Sequence, residues 1–409
     1  MKIVIVNHSD VRGGASVVSH RLMKALQAEG ADVKMLVCHK GGTDPGVVTA
    51  APHWRCRIPF LAEHLDIFAR NGHKRSTLFK VSTARYGLPL DRHPLVMEAD
   101  AVLLNWVNQG MLSLKSIQRM SDAGKRIVWT MHDMWNFTGI CHHAERCNGY
   151  LKECGHCHYG SNAGKDAHDF SHAVWREKRD FYSHSRISFV AVSNWLAGLA
   201  RRSSLLGDAD ISVIPNAFPI EDYAAPPRYS RRDLALPDDK PLVVMGAARL
   251  DDPIKDLPAA IQSLNVLAEH GVNAHAVFYG NNRSPELFES LRLPYTWTGP
   301  IGDPERVRSL MHHASAVLSS SVYETLPGTL IEGQAAGAVP VSFGNSGQTD
   351  IIDHLSTGYM ARYGDVRDLG EGLVWALTKP HDRDFLTDTV RRRFSARTVA
   401  GRYLELIGS

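Results

Sequence analysis

No stretch of this 409-residue sequence reaches the ~18 consecutive apolar residues that a membrane-spanning helix requires. The opening run, Lys2-Ile3-Val4-Ile5-Val6, is also shorter than the roughly 7–15 apolar residues of a secretory signal. The expected location is therefore the cytoplasm, with at most a peripheral stay on the inner membrane face. Six cysteines are too few to scaffold a chain of this size with disulfides. Charge of one sign is lacking too: 46 Lys and Arg stand against 43 Asp and Glu, for a net +3. Nucleic-acid-coating domains have a pI above ~9, so a nucleic-acid partner is not expected. Low-complexity tracts and short-period repeats are absent.

What is present is an alternation of short apolar strands with amphipathic helices. The strand Lys2–Val6 leads into a turn containing Gly13-Gly14, then a helical apolar pattern from Ser16 to Gln27, then the strand Val33–Cys38. That is a βαβ unit with paired glycines at its first turn. Further strands read at Ala101–Leu104, Ile127–Thr130, Ser188–Val192 and Ile211–Pro215, each apolar on both faces as a covered parallel sheet demands. A charged, Pro-rich linker over residues 218–241 resets the pattern. Strands follow at Leu242–Met245, Ala274–Tyr279, Ala316–Ser320, Val339–Phe343 and Gly358–Ala361, with helices at Leu257–Glu269 and Leu330–Ala336. The expected class is α/β: two Rossmann-like doubly wound lobes with a cleft between them and a C-terminal helix. The expected domains are 1–217, carrying a Cys-rich loop at 139–158; 218–390; and a terminal helix, 391–409, packing back on the N-terminal lobe.

Several segments carry chemistry at strand ends. Glu324 lies in a loop and Glu332 eight positions on, within the following helix; between them Leu326, Pro327 and Gly328 open that helix, where backbone N–H groups can hold a phosphate. Arg249 and Lys255 follow the strand at 242. His132-Asp133-Met134-Trp135 follows the strand at 127, and Asn105-Trp106 the strand at 101. A histidine there can bond a sugar hydroxyl or merely cap a loop. Trp106 reads equally as a sugar-stacking face or as a core residue.

In order and spacing these segments resemble the retaining glycosyltransferases of family 4, which have the two-lobed GT-B fold. Glu324 and Glu332 match that family's E-x7-E donor motif, and Gly337, Pro340, Gly344 and Gly347-Gln348-Thr349-Asp350 continue the match. The resemblance implies that Glu324 contacts the donor sugar and Glu332 the ribose hydroxyls. Carboxylates suit this because charged acceptors make the stronger hydrogen bonds. Gly246-Ala247-Ala248-Arg249-Leu250 with Lys255 resembles the family's diphosphate-binding segment, whose cations offset charge on the leaving phosphate. Asp256 stands where the family has glycine. By the same resemblance His132 sits against the donor sugar and the acceptor. Gly13, Gly14, Asn216, Leu326, Pro327 and Gly328 complete the nucleotide-binding set. The implied reaction is metal-independent, retaining transfer from a UDP- or GDP-sugar to a saccharide or lipid-linked saccharide, as in bacterial polysaccharide biosynthesis. A GT-B sugar-nucleotide epimerase and a catalytically silent GT-B scaffold are the alternatives. The cysteine loop argues against the first, and the intact Glu324, Glu332, Arg249 and Lys255 against the second.

Cys141, Cys147, Cys154 and Cys157 place four thiols within 17 residues. In a reducing compartment a structural zinc is favoured over two disulfides, with His142, His143, His156 and His158 as alternative ligands. The same loop, led by His132-Asp133-Met134-Trp135, resembles a family 4 subgroup from bacterial surface-polysaccharide clusters. Finally, residues 53–92 hold eight Lys and Arg against three acids, interleaved with Trp54, Ile58, Phe60, Leu61, Leu65 and Phe79. That suits docking on an anionic membrane, and equally a solvated helical pair packed on the lobe.

Overall fold

The apolar strands segregate into two separate sheets, each wholly parallel. The computed structural model describes residues 1–160 and 169–409. The first sheet comprises β1 (Lys2–Val6), β2 (Asp32–Val37), β3 (Val47–Thr49), β4 (Ala101–Leu104), β5 (Arg126–Met131), β6 (Ile187–Ala191) and β7 (Ile211–Val213), in the order β3-β2-β1-β4-β5-β6-β7. The second comprises β8 (Leu242–Arg249), β9 (His275–Asn281), β10 (Tyr295–Trp297), β11 (Ala316–Ser319), β12 (Val339–Phe343) and β13 (Tyr359–Ala361), in the order β10-β9-β8-β11-β12-β13. Strands β4 and β11 are buried at all four positions, which is why they read as continuous apolar runs.

The two sheets belong to two compact units. One is Met1–Ala217 with Val399–Ser409, the other Phe218–Thr398. In each sheet the strand order reverses once, between β1 and β4 and between β8 and β11. Chains that leave neighbouring strands in opposite directions open a crevice at the strands' carboxyl ends, where doubly wound sheets bind ligands. The segments singled out above sit there: Asn105-Trp106 after β4, Arg249 at the end of β8 and Glu324 after β11.

Two stretches depart from the sequence-based expectation. The terminal helix expected over residues 391–409 is two helices, Arg383–Phe394 and Ala396–Gly408. Ser395 breaks them: its backbone is extended and its hydroxyl accepts the Thr398 N–H at 3.3 Å, as an N-cap does. The linker expected over 218–241 holds a short helix, Ile220–Ala224, whose Ile220 and Tyr223 are buried. It therefore packs in the second unit and does not run free.

The last helix is tied to the first unit by polar as well as apolar contacts. Tyr403 is buried, and its hydroxyl lies 2.9 Å from Thr130 Oγ1 on β5. Arg126 donates to Leu406 O at 2.8 Å. Losing only the hydroxyl in Tyr403→Phe should cost about 0.5–1.5 kcal/mol. Losing the ring in Tyr403→Ala should cost about 3–5 kcal/mol through the cavity left. Urea unfolding followed by a first-unit tryptophan signal measures both, and equal costs would contradict this ranking.

Candidate functional site

In the second unit the loop after β11 is built from backbone constraints first. Gly347 N donates to Glu324 O at 2.8 Å, and a Cβ on Gly347 would lie 2.1 Å from Thr325 O. Only glycine lets these two loops touch. Glu324 N in turn donates to Ser346 Oγ at 2.9 Å, so the carboxylate stands on a loop held from beneath. The Lys255 segment is stitched to the same loop: Val322 N donates to Ile254 O at 2.8 Å, and Ser320 Oγ to Lys255 O at 2.7 Å.

The side chains converge accordingly. Lys255 Nζ bonds Glu324 Oε1, which also accepts from Ser321 Oγ at 2.9 Å. Both charges are half-buried, and each offsets the other's desolvation. Arg249 remains exposed at the end of β8, with its guanidinium 3.2 Å from Asp251 Oδ2. Glu332 lies in the helix Gly328–Ala335, which Pro327 caps and Leu326 precedes. Burial, and then the nearby Glu332 carboxylate, push the Tyr279 phenol well above its ordinary pKa. Tyr279 packs where a Cβ on Gly246 would fall 1.9 Å from its ring. Asp256 has φ 47° and ψ 57°. It thus keeps the left-handed backbone that glycine favours, in a conformation Asp tolerates better than most residues. Its carboxylate accepts the Ala259 N–H at 3.3 Å and caps the helix Leu257–Glu269.

In the first unit His132 is half-buried, with Nε2 2.8 Å from Asn105 Oδ1. Burial lowers its pKa to about 4, so the ring is neutral at pH 7. An amide oxygen only accepts, so Nε2 carries the proton and Nδ1 keeps its lone pair. Gly13 has φ 87° and starts the helix Gly14–Ala28, while Asn216 lies half-buried in the loop beyond β7. These three stand on separate loops of that unit.

Sequence reasoning missed what surrounds Asp133. Its carboxylate accepts the Trp135 N–H at 2.8 Å and the Trp106 Nε1–H at 3.1 Å, and lies 2.7 Å from His142 Nδ1. Burial alone would raise its pKa, but His142 and these bonds hold it down at about 2. Trp106 is half-buried, its ring between those of His8 and His142 at 5.7 and 5.5 Å. It is therefore neither a bare stacking platform nor a core residue. His142 Nε2 is buried with no hydrogen bond. The spacing of nine between Asp133 and His142 has no regular periodicity, so only the fold reveals the pair.

Cys141, Cys147, Cys154 and Cys157 line one cavity of about 260 Å³. All are free thiols. Among the described residues no three His, Cys, Asp or Glu side chains are grouped closely enough to hold a metal ion. The expected zinc ligand set is thus gathered around a cavity without being closed.

Residues 241–379 match the family model described as Glycosyl transferases group 1. The chain is 23% identical over 324 residues to the putative colanic acid biosynthesis glycosyl transferase WcaC of Escherichia coli (strain K12), across 75% of this chain and 72% of that protein. Anabaena Alr3699/HepE, solved in complex with UDP and glucose, is similar with a TM-score of 0.61 at 16% identity, covering 100% of this chain and 99% of that one. A glycosyltransferase from Rickettsia africae ESF-5 gives a TM-score of 0.65 at 15% identity, over 99% and 97% of the two chains.

The buried histidines make stability depend on pH with a definite sign. His8 and His132 titrate at about 4 in the folded chain against an ordinary 6.5, both chiefly through burial. Below pH 6.5 the unfolded chain binds more protons, so stability falls as pH drops from 6.5 towards 4. Asp133, held at about 2, adds a further loss below about 3.8. Melting temperature recorded from pH 7.5 to 4 should decline across that window, and the decline should be shallower in the His8→Asn, His132→Gln double variant. A flat profile in the parent protein would contradict the assignment. The chain has the two-lobed, parallel-sheet α/β fold of GT-B glycosyltransferases, and its residues 241–379 are similar in sequence to the group 1 glycosyl transferases.

Proposed function

We propose that this protein moves a sugar from a nucleoside-diphosphate sugar to a saccharide or lipid-linked saccharide during bacterial polysaccharide assembly. The observation that carries the reading is the pairing of Lys255 with Glu324 at the carboxyl end of a parallel sheet, within the segment matching the glycosyl transferase family. The complex of HepE with UDP and glucose supports a sugar nucleotide as donor. The WcaC relative supports a role in polysaccharide synthesis.

In this reading the second unit holds the donor. Arg249, Lys255 and the N–H groups opening the helix Gly328–Ala335 face the diphosphate, with Leu326 and Pro327 shaping the approach. As the anomeric C–O bond to phosphate breaks, negative charge grows on the leaving oxygen, and these groups offset it without a catalytic metal. Arrival of the diphosphate gives Lys255 a second anion, freeing part of Glu324 for the sugar hydroxyls. Glu332 takes the ribose. The acceptor hydroxyl forms its C–O bond on the face the phosphate leaves, and its proton passes to the departing phosphate oxygen, so the anomeric configuration is retained. Gly13, Gly14, Asn216 and His132 belong to the first unit and meet the substrates from there, His132 accepting a sugar hydroxyl at Nδ1.

Glu324→Ala should lower kcat by at least ~100-fold with little change in folding, because the residue rests on a loop and not in a core. Glu332→Ala should chiefly weaken nucleotide binding, by about 1.5–3 kcal/mol. Titration calorimetry with UDP and GDP, beside turnover of their sugars in EDTA, separates the two effects. Wild-type rates and affinities in both variants would end the donor-site assignment.

The acceptor reading has a surface to match. Along the helix His53–Arg70, Trp54, Ile58, Leu61 and Leu65 recur at helical spacing and face solvent, being 60, 59, 46 and 68% exposed. Cys56, Pro59, Glu63 and Ile67 take the inward face. Phe79 is exposed, as are Arg55, Arg57, Lys74, Arg75 and Lys80. An outward apolar stripe with basic residues beside it suits an anionic bilayer. Among the described residues no helix is long and apolar enough to cross a membrane. Vesicles containing about 30% anionic lipid should float the protein, while neutral vesicles, or the Ile58→Ser, Leu65→Ser variant, should not. Equal flotation on both lipids would discard the electrostatic part of this contact.

A further inference from the structure

Four of the six cysteines gather around one cavity. Three of the four sulfurs are met by backbone N–H donors, although burial raises the thiol pKa of Cys141, Cys154 and Cys157. Gly149 N–H points at Cys147 Sγ at 3.4 Å, and Gly139 N–H at Cys154 Sγ at 3.2 Å. The Tyr159 N–H is directed at the sulfur of Cys157. Two of these donors follow their cysteine by two residues, so the chain curls around the sulfur it serves. A neutral thiol is a weak acceptor, whereas a thiolate makes the shorter, stronger bond of a charged acceptor. Gly139 is held in place by crowding: a Cβ there would lie 2.7 Å from Ser171 O and 2.9 Å from Cys154 Cβ.

A second observation is a buried lysine whose charged form desolvation strongly disfavours. Lys178 is fully buried on the helix Phe170–His184. Its ammonium donates to Trp135 O at 2.5 Å and Thr138 O at 3.1 Å, and lies 3.2 Å from the centre of the Trp135 ring. The ionisable groups within its electrostatic reach are Cys141, Cys154 and Asp133. Asp133 is already engaged by His142, Trp106 and Trp135. A buried ammonium is costly unless an opposite charge stands near it. Thiolates at Cys141 and Cys154 would supply that charge.

We propose that Cys141, Cys147, Cys154 and Cys157 bind one structural zinc ion, with Lys178 balancing part of the tetrathiolate's negative charge. The four thiols release four protons to solvent as four Zn–S bonds form, and no electron changes hands. A divalent ion with four thiolates carries a net charge of about −2, which the Lys178 ammonium partly offsets. Bond lengths of about 2.3 Å require the sulfurs to turn inward from the cavity wall, closing the space they now line. The ion has a consequence beyond the loop. Cys141 is bridged to Val81 and precedes His142, whose ring meets Asp133. Fixing Cys141 therefore fixes His142 as a positioning residue for the Asp133 network. The inference stands independently of the glycosyl-transfer reading, because its primary readout is metal content.

The test uses the full-length chain, without a histidine tag, purified under reductant and measured by elemental analysis. The expected content is about one zinc per chain, with no visible absorption. Chelator should remove the ion and lower the melting temperature, and added zinc should restore both. Cys154→Ser should drop zinc below about 0.1 per chain, whereas Cys38→Ser, outside the loop, should retain it. Lys178→Met should weaken zinc in a chelator competition by at least about tenfold. Should these variants fail to fold, competition on the parent chain still decides. Folded parent protein with zinc near zero and four titratable thiols would overturn the proposal. So would two disulfides, or iron with sulfide absorbing near 400 nm.

Discussion

One buried carboxylate organises the carboxyl end of the first sheet. Asp133 leaves β5 and is met at once by three groups from three directions: its own loop through Trp135 N, the loop after β4 through Trp106, and the cysteine loop through His142. A carboxylate excluded from water is tolerable only when its oxygens are satisfied. Each donor is therefore required to be where it is, and the loops that carry them inherit that requirement. Trp106 is fixed edge and face, because its N–H is spent on Asp133 and its ring is packed by two imidazoles. His132, one residue before, is bonded to Asn105, one residue before Trp106. Two adjacent pairs thus lock the loops beyond β4 and β5 together.

The second unit solves a related problem differently. There the charges stay half-exposed, and precision comes from backbone. Gly347 touches the Glu324 loop because it has no side chain, and Asp256 holds a left-handed turn that turns Lys255 towards Glu324. Exposed or half-exposed cations retain hydration that a polyanionic ligand can displace. The contrast follows from what each side is proposed to meet: a diphosphate needs charge in reach, whereas sugar hydroxyls need neutral acceptors at fixed angles.

Much of this was legible in the sequence, and the reasons are local. Parallel strands such as β4 and β11 announce themselves because both faces are covered, leaving no polar alternation. Glu324, Glu332, Arg249 and Lys255 stand out in the sequence only through the order in which they follow one another, which is what carries the family resemblance. What was hidden depends on contacts between distant segments. Glu63 looked like one acid in a basic stretch. In the fold it is fully buried, its Oε1 accepting the Thr83 and Ala84 N–H groups at 2.7 and 3.0 Å and the Ser82 hydroxyl at 2.7 Å. Lys178 is likewise fully buried on the helix Phe170–His184, which no short-range pattern shows. The break at Ser395 was hidden for another reason: serine is compatible with both a helix interior and an N-cap, and only the docking of Tyr403 decides.

The Glu63 contact also bears on how the outward stripe of the helix His53–Arg70 is held. Its carboxylate grips the Ser82–Ala84 segment from the inner face, while Trp135 Nε1 donates to Ser82 O at 2.8 Å from the other side. Gly110, further along, lies where a Cβ would fall 2.4 Å from Phe60 N, so the helix backbone rests directly on the loop beyond β4. That loop carries Trp106, and Trp106 bonds Asp133. The exposed apolar face and the Asp133 network are therefore separated by only two layers of close backbone contact. Well-packed interiors transmit displacement because they have little free volume to absorb it. A displacement of that helix would therefore reach Trp106 through close-packed backbone.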